Sequence, residues 1–162
     1  MQRGVDAVQF SPSRREPGVR PFTIGYVGRL SVEKNVRFLA DVERTLQEAG
    51  KTDFRFLIAG SGGEQDWLSA NLSHAEMLGV VKGEALAQAY ANMDVFAFPS
   101  HTDTFGNVIL EALASGVPAV VTTGGGPKFL VKSGVTGFIA SDDRTFSHCI
   151  LDLMNHPSSI VG

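Results

Sequence analysis

The chain has 162 residues, 43% of them hydrophobic, which fits one globular domain with a substantial core. Its formal net charge of −3, without a long basic run, excludes duplex nucleic acid as an expected partner. The single cysteine, Cys149, excludes an intrachain disulfide and is typical of a reducing compartment, so we expect a cytoplasmic protein. No stretch is apolar enough to span a bilayer, and the polar residues 1–20 do not resemble a signal peptide.

Strands and helices are predicted to alternate along the first part of the chain. Continuous apolar runs predict three strands, at residues 22–27, 54–59 and, more weakly, 77–81. Apolar residues at helical spacing predict helices at about residues 35–49, 64–70 and 84–92. Glycine-rich or charged loops follow the first two strands, starting at Gly28 and Gly60.

The same alternation continues to the end of the chain. Further strands are predicted at residues 95–98, 117–122 and 137–140, and helices at about 106–115, 128–132 and 142–155. Short, continuously apolar strands that alternate with helices predict an α/β fold, a Rossmann-like parallel sheet with helices on both faces. Ligands of such sheets bind beyond the carboxyl ends of the strands, where the strand order reverses.

The segment 94–118 carries the strongest functional signal. Its helix is apolar almost all round, and Glu111 is its only charge, so the carboxylate is expected to face a cleft where something binds it. Asp103 lies one loop upstream, and the helix N-terminus between the two acids suits a phosphate. Two acids for sugar or ribose hydroxyls around a phosphate indicate a nucleotide-sugar site. Alternatively, Asp103 is only a helix cap, and Glu111 pairs with an arginine or meets solvent.

Two cations lie on the loop that leaves the first strand, in the sequence Gly28-Arg29-x4-Lys34. An arginine can bind two phosphate oxygens at once, and a lysine adds a point charge. Taken alone, the two residues are better explained as an exposed basic pair.

Three other functional motifs are incomplete in this sequence. The dinucleotide fingerprint G-x-G-x-x-G begins at Gly60 and Gly62, but Gln65 occupies the third glycine position. The sequence Gly50-Lys51-Thr52 imitates the end of a P-loop, yet it follows a predicted helix, and Thr45 replaces the first glycine. The four histidines have no metal-ligand spacing, so we predict no metal site.

Together these stretches resemble the donor-binding, C-terminal half of the group 1 (family four) retaining glycosyltransferases, which have the two-lobed GT-B architecture. The most specific match runs from Thr102-Asp103-Thr104-Phe105-Gly106-Asn107-Val108 to Glu111-Ala112 and Ser115-Gly116-Val117-Pro118. Weaker matches follow the family order over nearly the whole chain: Gly4-Val5-Asp6, Gly28-Arg29-Leu30, Lys34-Asn35, Ala59-Gly60-Ser61-Gly62, Gly83, Tyr90-Ala91, Asp94-Val95-Phe96, Pro99-Ser100 and Gly137-Phe138. Asp103 departs from the commoner glutamate, and Phe129 stands where many members carry an acid.

The resemblance implies a role for each matching residue. Arg29 and Lys34, on the loop that begins at Gly28, would hold the donor diphosphate, and Asp103 would lie beside the donor sugar. Glu111 would accept the ribose hydroxyls. The remaining donor-binding residues are Val81, Gly83 and Leu86, which would flank the base, and Phe105, Gly106, Asn107 and Val108, whose amides would meet sugar hydroxyls and phosphate. The nucleotide sugar is a co-substrate, and no cofactor or metal is implied.

The resemblance also implies retaining transfer of a glycosyl group from a UDP- or GDP-sugar to an acceptor, for instance a lipid or glycan. Residues 1–162 would then form one nucleotide-sugar-binding domain, a fragment whose N-terminal acceptor lobe is absent. We expect the isolated chain to bind nucleotide weakly and to transfer nothing, with membrane contact only through the missing lobe. An epimerase of the same architecture and a non-catalytic nucleotide-binding module remain alternatives.

Overall fold

The computed structural model describes residues 21–99, 107–122, 137–140 and 142–155. The strands are β1 (Phe22–Val27), β2 (Phe54–Ala59), β3 (Ala75–Gly79), β4 (Val95–Phe98), β5 (Ala119–Thr122) and β6 (Gly137–Ala140). The helices are α1 (Phe38–Glu48), α2 (Gln65–Asn71), α3 (Gly83–Ala91), α4 (Asn107–Ala114) and α5 (Asp143–Asn155). A 3-10 turn spans Val32–Lys34, and the helix predicted at 128–132 lies outside the described residues.

All strand pairs in the sheet are parallel, in the order β3-β2-β1-β4-β5-β6. The predicted α/β fold with a parallel sheet is therefore confirmed. The strand order reverses between β1 and β4. In open parallel sheets, the crevice outside the carboxyl ends of the strands at such a reversal is the usual ligand site. None of the helices in the described ranges is both long and apolar enough to cross a bilayer.

Apolar side chains fill both faces of the sheet because its strands are buried on both sides. On one face, Phe38 of α1 and Phe146 of α5 meet edge to face, with ring centroids 5.2 Å apart. On the other face, Tyr90 of α3 packs against Phe96 of β4, with centroids 5.9 Å apart, in a cluster that includes Ala112 of α4. Burying each large apolar side chain contributes about 1.5–3 kcal/mol.

A glycine ends α4, as predicted. Gly116 has φ 78°, and its backbone N–H donates to the carbonyl of Leu113 at 3.0 Å, while Val117 N–H donates to the carbonyl of Ala112 at 3.0 Å. Left-handed backbone at this position, with bonds back to the last turn, is a standard helix termination. The end of α4 is thereby fixed against the start of β5.

Candidate functional site

A cleft of about 410 Å³ opens at the carboxyl ends of β1, β2 and β3. Its walls are the residues that end or follow these strands: Val27, Gly28, Arg29, Ala59, Gly60, Ser61, Gly62, Val80 and Val81. The volume lies within the range of sites for small molecules and cofactors. The cleft therefore occupies the edge of the sheet where the sequence predicts a ligand.

Backbone hydrogen bonds join the loops after β1 and β2 beyond the strands themselves. Gly28 N–H donates to Ala59 O at 3.1 Å, and Leu30 N–H donates to Ser61 O at 2.9 Å. The two loops approach so closely at Gly60 that an added Cβ would lie 1.9 Å from Gly28 O, and its φ of 135° also favours glycine. These contacts fix the floor of the cleft.

Arg29 belongs to the wall of this cleft. The hydroxyl of buried Tyr26 donates to the backbone carbonyl of Arg29 at 2.9 Å, which anchors the main chain while the Arg29 side chain is exposed. The structure thus brings together three residues that the sequence singled out, Gly28, Arg29 and Val81.

Lys34 ends the 3-10 turn that follows, and it is half-buried. The next residue, Asn35, donates from Nδ2 to the carbonyl oxygen of Pro99 at 3.2 Å. Pro99 comes directly after β4, so this bond ties the turn carrying Lys34 to the carboxyl end of β4. Lys34 consequently lies at the crevice between β1 and β4, where the strand order reverses.

Glu111 extends from α4 and is half-buried, and its partner comes from α3. The hydroxyl of Tyr90 donates to Glu111 Oε1 at 2.8 Å. Burial raises the pKa of Glu111, and the hydrogen bond from Tyr90 opposes this shift. Burial and the nearby Glu111 carboxylate also raise the pKa of Tyr90, which keeps the phenol protonated and able to donate.

The other predicted residues lie in α3 and α4 or outside the described ranges. Gly83 begins α3 with φ 59°, and Leu86 and Val81 each pack against the buried cluster that includes Tyr90 and Phe96. Asn107 and Val108 are the first two residues of α4. The residues that lie outside the described part of the chain are Asp103, Phe105 and Gly106.

A profile of the family described as "Glycosyl transferases group 1" matches residues 21–156. The chain belongs to this family. A GDP-mannose-dependent alpha-mannosyltransferase of Mycolicibacterium smegmatis is 40% identical over 149 residues, which cover 87% of this chain and 38% of that protein. This group 1 glycosyltransferase chain therefore spans about two fifths of the length of that relative.

Two solved structures share the fold. The Anabaena HepE protein, in complex with UDP and glucose, has a TM-score of 0.73 and 25% identity, over 86% of this chain and 40% of that one. The C-terminal domain of a glycosyl transferase group 1 family protein from Francisella tularensis has a TM-score of 0.79 and 18% identity. The latter match covers 96% of this chain and 90% of that domain.

Several residues that shape the site of this family member were not predicted as site residues. Val80 is 63% exposed and forms part of the cleft wall together with residues 60–62. The glycine-rich composition of residues 60–62 was the sequence signal that pointed to this wall. Asn35 follows Lys34 and has a left-handed backbone, with φ 57°. Asparagine is among the non-glycine residues that adopt this conformation most often. Tyr90 lies 21 residues before Glu111, so no local sequence pattern predicts the hydrogen bond between them.

We expect the Glu111 carboxyl to titrate above its ordinary value of 4.5, because burial disfavours its charge. Tyr90→Phe removes a donor that favours the ionised form and should move the midpoint higher, as carbon NMR of the glutamate side chain would measure. Tyr26→Phe, a change at the other tyrosine, should leave the midpoint unchanged.

Since the folded-state pKa is raised, the stabilising contribution of Glu111 is present below pH 4.5 and is lost as the pH rises through the folded value. A midpoint unaffected by Tyr90→Phe would contradict this coupling.

Proposed function

We propose that this chain is the donor-binding lobe of a glycosyltransferase and that it binds a nucleoside diphosphate sugar. The diphosphate would lie in the crevice between the loop after β1 and the N-terminus of α4. The observation that carries the proposal is the cleft at the carboxyl ends of β1 to β3, with Arg29 in its wall and the Lys34 turn bonded to the end of β4. Family membership supports the same assignment.

The proposed chemistry concerns the leaving group. When the bond between the sugar C1 and the diphosphate oxygen breaks, negative charge develops on the nucleoside diphosphate. Arg29, Lys34 and the first amides of α4 would stabilise that charge, and one such donor in a site without water supplies about 3–4 kcal/mol. In this proposal the leaving group is neutralised by the protein, and no metal ion takes part.

The rest of the donor would extend from the crevice in two directions. Val80 and Val81, with the backbone near Gly83, would flank the base, and Glu111 would accept the ribose hydroxyls. Asp103 would support the donor sugar. Relatives named for GDP-mannose-dependent transfer support a GDP-sugar as the donor, and the UDP complexes among the solved neighbours support UDP as the second candidate.

The remaining parts of the reaction would need more than this chain. We propose that an N-terminal lobe supplies the acceptor site, that transfer retains the anomeric configuration, and that the acceptor is a lipid or a glycan. The proposed setting is the cytoplasm, with any membrane contact made through that lobe.

Calorimetric titration of the 162-residue chain with GDP, UDP and ADP tests the proposal. Lys34→Ala and Arg29→Ala should each weaken GDP or UDP binding by roughly 10-fold or more, since a hydrogen bond to a charged group contributes about 1.5–3 kcal/mol. Binding of guanosine or uridine, which lack the diphosphate, should not change. Lys51 lies between α1 and β2, at the amino-terminal ends of the strands and therefore away from the cleft. Lys51→Ala should bind GDP and UDP as the wild type does. Equal and negligible heats for all three nucleotides would overturn the proposed function.

A further inference from the structure

We infer that Asn35 is a positioning residue for Lys34, because it holds the turn that carries this lysine against the end of β4. The inference rests on the proposed function, since Lys34 is the residue that would contact the diphosphate.

The backbone of Asn35 is the first observation. Its φ of 57° and ψ of 34° place it in the left-handed region, and among the described residues it is the only non-glycine with positive φ. Its N–H donates to Val32 O at 2.9 Å and its carbonyl accepts from Phe38 N–H at 3.1 Å, so the residue connects the 3-10 turn to the start of α1. Strained backbone of this kind persists only where the surroundings hold it, and it concentrates at functional sites.

The side chain of Asn35 supplies the second observation. Its Nδ2 donates across 64 residues of sequence to the carbonyl oxygen of Pro99, at 3.2 Å. Pro99 is buried and directly follows β4, so the bond joins the turn after β1 to the end of β4. The strand order reverses between these two strands. The bond therefore restrains the turn at the place where the proposed diphosphate would lie.

Lys34 is the last residue of the turn that Asn35 caps, so the bond from Asn35 to Pro99 also restrains Lys34. The Lys34 N–H donates to Ser31 O at 3.1 Å within the same turn, so a rotation of the turn relative to β4 would carry Lys34 with it. A lysine has a long, flexible stem that loses rotamer freedom on binding, and a fixed base restricts where its ammonium group can reach. The Asn35 amide therefore acts on the ligand through Lys34.

The test is a double-mutant cycle between Asn35→Gly and Lys34→Ala in the 162-residue chain, titrated with GDP, UDP and their nucleosides. Glycine keeps the left-handed backbone and removes only the side-chain bridge, so the variant should fold. Asn35→Gly alone should weaken nucleoside diphosphate binding by roughly 2- to 10-fold, the range for one net hydrogen bond. It should leave nucleoside binding unchanged, and its effect should vanish in the Lys34→Ala background.

Asn71→Gly is the matched control, because Asn71 also donates to a backbone carbonyl, Trp67 O at 2.8 Å, but at the end of α2. It should leave nucleotide affinity unchanged. The role of Asn35 is overturned if the two changes are additive, or if Asn35→Gly weakens nucleoside and nucleotide equally. A wild-type chain that binds neither GDP nor UDP would instead refute the proposed function, and the role of Asn35 with it.

Discussion

Gly60→Ala is expected to lower the free energy of unfolding by about 2–4 kcal/mol and to abolish nucleotide binding. The new Cβ would lie 1.9 Å from the carbonyl oxygen of Gly28, and alanine would have to adopt φ 135°. Moving the Gly28 backbone away would break the hydrogen bond from its N–H to Ala59 O, which is 3.1 Å long. The loops after β1 and β2 must therefore separate, and the floor of the cleft is lost.

Urea denaturation and calorimetric titration measure these two effects of Gly60→Ala separately. Gly63→Ala is the matched control on the same loop, since an added Cβ there meets nothing within 4 Å. Its free energy of unfolding should stay within about 0.5 kcal/mol of the wild-type value. If both variants unfold and bind nucleotide alike, the close approach of the two loops does not shape the site.

Glu111→Ala is expected to weaken GDP or UDP binding by roughly 10- to 100-fold, the range for hydrogen bonds to a charged acceptor. The physical reason is the loss of the carboxylate that, in the proposed function, accepts the ribose hydroxyls. That carboxylate is oriented by the Tyr90 hydroxyl at 2.8 Å, so Tyr90→Phe should produce a smaller loss in the same direction.

A 2′-deoxynucleotide shows whether the loss comes from the ribose. The wild-type chain should bind 2′-deoxy-GDP more weakly than GDP, and this difference should disappear in Glu111→Ala. Glu48→Ala, at the exposed end of α1, removes a carboxylate far from the crevice and should change neither affinity. If Glu111→Ala still discriminates between the two nucleotides as the wild type does, Glu111 does not bind the 2′-hydroxyl.

The sheet was predictable because most of its strands are continuous apolar runs between glycines, prolines and polar residues. The bounds of β1, β2, β4 and β6 match the prediction residue for residue. The third strand was placed two residues late, because β3 lies at the edge of the sheet and its half-buried residues give a weak pattern. Helix α1 begins at Phe38 rather than at residue 35, because the 3-10 turn and the left-handed Asn35 delay it.

The position of the cleft was predictable, but the contacts that hold the candidate site were not. Parallel strands bring their carboxyl ends to one edge, so the loops starting at Gly28 and Gly60 had to lie near one another. The bond from Asn35 to Pro99 and the bond from Tyr90 to Glu111 instead depend on how separate loops and helices pack in space. Local sequence patterns contain no information about such distant pairs.

A crystal structure of the chain with GDP or UDP tests most directly whether the diphosphate occupies the crevice. We predict phosphate oxygens about 3 Å from Lys34 Nζ, from the Arg29 guanidinium and from the first backbone amides of α4, with the base against Val80 and Val81. A nucleotide whose phosphates lie elsewhere, with neither Arg29 nor Lys34 in contact, would contradict the proposed site.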